Sequence, residues 1–242
     1  MIPKIIHYCW FGGGEMPEIA TKCIDSWNKH CPDFEIKLWN ETNFDINVNK
    51  YSMESAKVKQ WAFVADIARL WVIYNYGGVY LDIDVEVIRP IDKFLNDQMF
   101  LGFESFFYIN MGSGFGAEKN FYLLKKMLDS YNKVSFINSD GTLNQIASPS
   151  YTTDSMKKEG FIINNTKQII NNVSVYPTEY FCPKDFQTGE ITITENTHAI
   201  HHFLASWWDE EDKRKLEERH KQYEIRKKIL KFHKSKGINI DE

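Results

Sequence analysis

The sequence has no run of apolar residues approaching the eighteen or so that a membrane-crossing helix needs. It opens MIPKIIHYCW and moves straight into a strand-like stretch, without the basic segment and apolar core of a secretory leader. Its four cysteines (Cys9, Cys23, Cys31, Cys182) make no C-x-x-C pair and no metal-ligand spacing. Cys23 and Cys31 share a helical stripe with Ala20, Ile24 and Trp27 and read as buried thiols. Excess basic charge is also missing. Lys and Arg number 29 against 33 Asp and Glu, and the net charge of −4 excludes a global footprint for nucleic acid. Internal repeats and low-complexity linkers are absent too. Together these absences predict a soluble protein in a reducing, cytoplasmic setting, where the N-x-S/T matches at Asn40, Asn164 and Asn172 carry no meaning.

What is present is a chain of 242 residues, 43% hydrophobic and 26% charged, long enough to bury a substantial core as one domain. Aromatic residues reach 15%, which suits the stacking of sugars and bases but equally fills cores. KIIHYCWF reads as a strand ending in three glycines, residues 17 to 31 as an amphipathic helix, and FEIKLW as a second strand. Residues 54 to 76 read as one long helix running into Gly77-Gly78 and a third strand. This β-α-β-α-β order predicts an α/β fold with a parallel, helix-covered sheet. A hairpin near MFLGFESFFYIN, a helix near 118 to 132, and strands near VSVYPTEYF and THAIHHF follow. The composition shifts only in the last thirty-odd residues, which gives a domain over 1–208 and a charged helical tail over 209–242.

Three features carry chemistry. In GGVYLDIDVEV the acids Asp82, Asp84 and Glu86 alternate with aliphatics, so a continuous strand would set all three on one face. Like charges so placed settle only under water or a cation. A calcium loop would want glycine where Val87 stands, and a dehalogenase-type phosphatase would want Thr where Glu86 stands. The second feature is Asp66 with Arg69, three apart on a helix that is otherwise apolar nearly all round. They form either an internal ion pair or a cleft-facing grip on the hydroxyls of a polar ligand. The third is THAIHHFLASWW. Adjacent histidines on a strand face opposite ways, so at most one of His201 and His202 reaches a given site. Two carboxylates and an imidazole suit Mn²⁺ or Mg²⁺ better than Zn²⁺.

The blocks IPKIIHYCWFGG, ADIARLWVIYNYGGVYLDIDV, GSGFGAEK and AIHHFLASW occur in the order seen in glycosyltransferase family 32, which the chain resembles over residues 2 to 208. The resemblance implies a single-domain GT-A fold and a retaining, metal-dependent hexosyltransferase of cell-surface or capsular polysaccharide synthesis. It matches Asp82 and Asp84 to the D-x-D that holds Mn²⁺ or Mg²⁺ on the donor diphosphate. His202 matches the third metal ligand of glycogenin-like relatives and is preferred to His201 for that reason. Trp10 matches a base-stacking tryptophan, and Asp66 and Arg69 match a D-x-x-R that grips the transferred sugar. Ser206 and Trp207 match a segment closing over the diphosphate, while His7 and Tyr80 complete the expected donor-binding set.

Asp66, Arg69, Asp82 and Asp84 are thus the expected catalytic residues. With no second carboxylate obviously placed as a nucleophile, the resemblance favours attack on the leaving-group face. The implied partners are a nucleotide sugar (a UDP-sugar first) and a saccharide or lipid-linked saccharide acceptor, with acceptor contacts sought in residues 104 to 116. A metal-dependent phosphohydrolase and a non-catalytic nucleotide-sugar-binding protein are the alternatives. In the tail, Leu216, Tyr223 and Leu230 fall on one line and Ile225, Ile229 and Phe232 nearly opposite, among abundant Lys and Arg. One line is expected to dock on the catalytic domain while the basic side meets anionic lipid, placing the protein peripherally at the inner membrane face.

Overall fold

The computed structural model describes residues 1–206 and 208–235. In chain order the strands are β1 (Ile5–Cys9), β2 (Glu35–Trp39), β3 (Gly78–Tyr80), β4 (Val85–Val87), β5 (Met99–Phe103), β6 (Ile109–Asn110), β7 (Phe115–Ala117), β8 (Gln168–Ile170), β9 (Val173–Tyr176) and β10 (Ala199–His201). The helices are α1 (Glu18–His30), α2 (Lys50–Lys57), α3 (Trp61–Tyr76), α4 (Tyr122–Tyr131), α5 (Ser148–Lys158), α6 (Thr178–Phe181) and α7 (Glu210–Ser235).

The main sheet runs β2-β1-β3-β7-β5-β9-β8, with β6 added to β5. β1 pairs in parallel with β2 and β3, as the alternating order predicts, and β5 pairs in parallel with β9. β7 inserts antiparallel between β3 and β5. Both faces are covered. On one side Ala20, Cys23 and Trp27 of α1 join Ile6, Tyr8 and Val79. On the other, Phe63, Ile67 and Leu70 of α3 pack with Leu124 of α4 against Cys9, Tyr80 and Phe115. β1 therefore buries alternate residues in two different cores, which is why its apolar run is nearly continuous. All four cysteines are free and buried.

Two predicted elements are broken. The helix expected over 54 to 76 is two helices, parted at Lys59, whose backbone is left-handed (φ 58°). The acidic strand is also two pieces. The Val85 N–H returns to the Asp82 carbonyl at 3.0 Å, making a turn between β3 and β4, and β4 leaves the main sheet to pair antiparallel with β10. The Trp27 indole ties α1 to this small sheet by donating to the Val85 carbonyl at 2.7 Å. Also unlike the sequence reading, the segment after VSVY turns into α6, and α5 was not foreseen.

Candidate functional site

The turn after β3 decides the site. In the β4–β10 ladder Ile200 lies opposite Glu86 and His201 opposite Val85. His202 follows on Glu86's face, and its Nε2 meets the Glu86 carboxylate at 2.9 Å. Asp84 stands in the turn, outside the alternation, and its carboxylate swings to the opposite side, 3.5 Å from His201 Nε2. Asp82, Asp84 and His201 consequently offer one ligand atom each within 4.8 Å of one another. This corrects the expectation for His202, which the ladder carries to Glu86, while His201 takes the place beside the two aspartates.

Hydrogen bonds hold each member in place. Asp84 Oδ2 accepts from the Leu204 N–H at 2.6 Å, and the Asp84 carbonyl accepts from the His202 N–H at 2.9 Å. Asp82 accepts from the Tyr80 hydroxyl at 2.9 Å and from Arg69 Nη2 at 3.1 Å. The same Nη2 lies 3.2 Å from Asp66, so one guanidinium joins α3 to the D-x-D turn. Among the described residues neither its Nε nor His201 Nδ1 has a hydrogen-bond partner, although both are buried. Gly112 is required by close approach, because a β-carbon there would lie 2.3 Å from Asp82 Oδ2.

Burial opposes charge throughout this cluster, and the partners decide the outcome. Burial alone would raise Asp84, but the neighbouring His201 charge outweighs it and brings the carboxyl down to about 2. Burial would likewise lower His201, but Asp84 raises it well above its ordinary value. Asp82 is raised by burial against the pull of Arg69. Asp66 is raised in the same way. The arrangement fits a divalent cation, because hard oxygen donors and one imidazole converge and a bound ion would replace the proton on His201.

These residues floor a solvent-open crevice of about 1190 Å³. Trp10, Trp61, Asp66, Arg69, Tyr80 and Ser206 also line it. Trp10 is half-buried, and its indole N–H donates to the Gly14 carbonyl at 2.7 Å, which braces the glycine loop. Ser206 is exposed at the mouth, and Trp207 lies outside the described residues. His7 is not among the lining residues. It points into the core, where Nε2 meets the Gly77 carbonyl at 2.9 Å and Nδ1 accepts from the Trp39 indole at 3.0 Å, and burial lowers it to about 4. Its expected donor contact is therefore replaced by a packing role beneath β3.

Several lining residues were invisible in the sequence reading, among them Trp61, Ser148, Phe186 and Phe203, whereas Glu104 and Asn110 fall in the 104 to 116 stretch where acceptor contacts were sought. The signal that pointed to that stretch was the glycine-rich 112–116 block at its end.

Residues 17–101 match a family model described as the glycosyltransferase sugar-binding region containing a DXD motif. That segment is a glycosyltransferase DXD region. Asp82-Ile83-Asp84 is the D-x-D within it, and the resemblance drawn from the sequence is borne out. Inositol phosphoceramide mannosyltransferase 3 of Schizosaccharomyces pombe is 33% identical over 107 residues, covering 39% of this chain and 28% of that protein. The uncharacterized glycosyltransferase L373 of Acanthamoeba polyphaga mimivirus is 31% identical over 160 residues, covering 59% and 62%. The matched segment thus spans less than a third of the yeast relative.

The fold of the DXD protein is similar to two solved glycosyltransferases. PaToxG glycosyltransferase matches with a TM-score of 0.51 at 17% identity, over 65% of this chain and 69% of that one. A glycosyltransferase involved in glycosylation of the major capsid of PBCV-1 matches with a TM-score of 0.50 at 14% identity, over 92% and 100%. The architecture around the DXD turn is accordingly GT-A-like α/β.

Proposed function

We propose that the protein transfers a hexose from a nucleotide sugar to a hydroxyl of a saccharide or lipid-linked saccharide, with Mn²⁺ or Mg²⁺ held by Asp82, Asp84 and His201. The observation that carries this reading is the convergence of that cluster with the buried Asp66–Arg69 pair in one aromatic-walled crevice. A divalent ion held there would neutralise the charge that grows on the departing diphosphate.

The chain's own residues do the rest. Arg69 and Asp66 hold hydroxyls of the transferred sugar, and Tyr80 and Arg69 orient Asp82. Trp10 offers its ring to the base, while Ser206 at the mouth of the crevice offers its hydroxyl to the diphosphate. The acceptor hydroxyl attacks the anomeric carbon from the leaving-group side. As the carbon–oxygen bond breaks, its electron pair stays on the diphosphate, which also takes the hydroxyl proton, so configuration is retained. The name of the yeast relative supports mannose as the hexose, so GDP-mannose belongs beside the UDP-sugars as a candidate donor.

The role we infer is in cell-surface or capsular polysaccharide synthesis, from the cytoplasmic side of a membrane. No helix among the described residues is long and apolar enough to cross one. α7 supports a peripheral contact instead. It docks through Tyr223 and Lys227 on Glu190, at 2.7 and 2.6 Å, and through His220 on the Phe186 carbonyl at 2.9 Å. Ile225 and Ile229 remain exposed, at 57% and 49%, beside Arg226 and Lys228, a composition that suits anionic lipid.

The test is a panel of nucleotide sugars and simple phosphate esters with and without Mn²⁺, read first by melting and then by product. Stabilisation by one nucleotide sugar, dependent on Mn²⁺ and followed by glycosyl transfer, is expected. Phosphate-ester hydrolysis without any response to nucleotide sugars would sink the reading.

A further inference from the structure

The transfer chemistry set out above leaves one acid of the crevice unused. Glu104 follows directly on β5, and the hairpin returns through Asn110 of β6. Glu104 Oε2 accepts from the Asn110 side-chain amide. Asn110 Oδ1 in turn accepts from the Gly112 N–H at 2.7 Å, and the Gly112 carbonyl accepts from the Asp82 N–H at 3.2 Å. A chain of three hydrogen bonds therefore clamps this carboxyl to the D-x-D turn. Its second oxygen takes no hydrogen bond among the described residues, although the side chain lines the crevice.

One oxygen is fixed while the other, on a half-buried side chain, stays open to a donor from a ligand in the crevice. Burial raises Glu104 above the usual carboxylate range, with His201 pulling the other way. Glu104 also stands outside the three-residue ligand group. A phosphate would meet like charge at this position, whereas a sugar O–H offers the donor that the open oxygen lacks.

We propose that Glu104 is a further catalytic residue that accepts a hydrogen bond from a substrate sugar hydroxyl and fixes it against the D-x-D turn. The proposal rests on the glycosyl-transfer reading of the crevice. The hydroxyl belongs either to the transferred sugar or to the acceptor, and experiment separates the two sources.

Glu104→Gln keeps the shape and the Asn110 contact but turns the open acceptor into an N–H donor. Wild type and variant would be compared in Mn²⁺ by calorimetry with UDP and GDP, by calorimetry with the nucleotide sugar that stabilises the wild type, and by nucleoside diphosphate release with water and, separately, with a panel of free hexoses and disaccharides as acceptor. Glu104→Asp, which retains charge but withdraws it by one methylene, should follow Glu104→Gln.

Nucleoside diphosphate affinity should stay within twofold. Beyond that, a tenfold or greater loss confined to nucleotide-sugar affinity marks a hydroxyl of the transferred sugar. A tenfold or greater loss of turnover to the sugar acceptors, at unchanged nucleotide-sugar affinity and unchanged release to water, marks a hydroxyl of the acceptor. Unchanged sugar affinity together with unchanged turnover overturns the proposal, and so does an equal loss of nucleoside diphosphate binding, which would place Glu104 in the metal shell. A wild-type protein that binds no nucleoside diphosphate with Mn²⁺ would instead remove the transfer reading, and this proposal with it.

Discussion

Replacing the two adjacent histidines separately tests the site most directly. His201 and Asp84 form a pair with side-chain exposures of 9% and 7%, whereas His202 and Glu86 are exposed by 23% and 41%. Breaking a buried pair leaves an uncompensated charge, so His201→Ala should cost about 3–5 kcal/mol in metal-free protein. His202→Ala breaks a partly solvated pair and should cost about 0–1 kcal/mol. Metal and ligand then add a second axis. Mn²⁺ with a nucleoside diphosphate at about a hundred times its Kd should stabilise the wild type by about 2.7 kcal/mol. For a chain of this size that is about 5–11 °C in Tm.

His202→Ala should keep this rise in full, and His201→Ala should lose it. His201→Gln serves as a second variant in case the alanine form folds poorly. The assay is a melting curve for each variant, with and without Mn²⁺ and nucleoside diphosphate. A metal response lost in His202→Ala and kept in His201→Ala would refute the geometric argument. A response kept in both would place any metal elsewhere.

His7, lowered to about 4 by burial, stays neutral in the folded protein and takes up its proton near 6.5 on unfolding. The unfolded chain therefore binds more protons between those values, and stability is full above pH 6.5 and falls as pH drops towards 4, by about 3 kcal/mol from this group. Denaturant midpoints against pH should show that slope reduced in His7→Gln, and an identical slope would contradict it. Trp10→Ala should weaken nucleotide sugar and free nucleoside diphosphate alike by about 1–3 kcal/mol in calorimetry, the scale of base–aromatic stacking. A loss of melting temperature without any binding defect would make Trp10 a packing residue only. Co-sedimentation with anionic vesicles at low salt should fall for a chain shortened to residue 208 and for the double variant Ile225→Ser/Ile229→Ser, while equal sedimentation of all three would remove the membrane contact.

Local pattern settled a good deal about this protein. Alternating apolar runs and glycine stops located β1, α1, β2 and the end of α3, because strand and helix periods are written in neighbouring residues. The one-face spacing of Asp66 and Arg69, and their nearness to the acids after Gly77-Gly78, followed from the same periods and from the crossover that returns α3 beside β1. Which histidine stands by Asp84 did not follow. Strand alternation correctly sets His202 with Glu86, but Asp84 leaves the strand in a turn closed by the Val85 N–H and the Asp82 carbonyl. A turn of one residue pair reverses a side chain's face, and only the pairing of β10 with β4, over a hundred residues apart in sequence, reveals the consequence. Glu104, Asn110 and Gly112 fall in the stretch where acceptor contacts were sought, but which of its residues reach the D-x-D turn was hidden for the same reason. Their meeting with Asp82 depends on β7 pairing between β3 and β5, a long-range contact that no short stretch of sequence records.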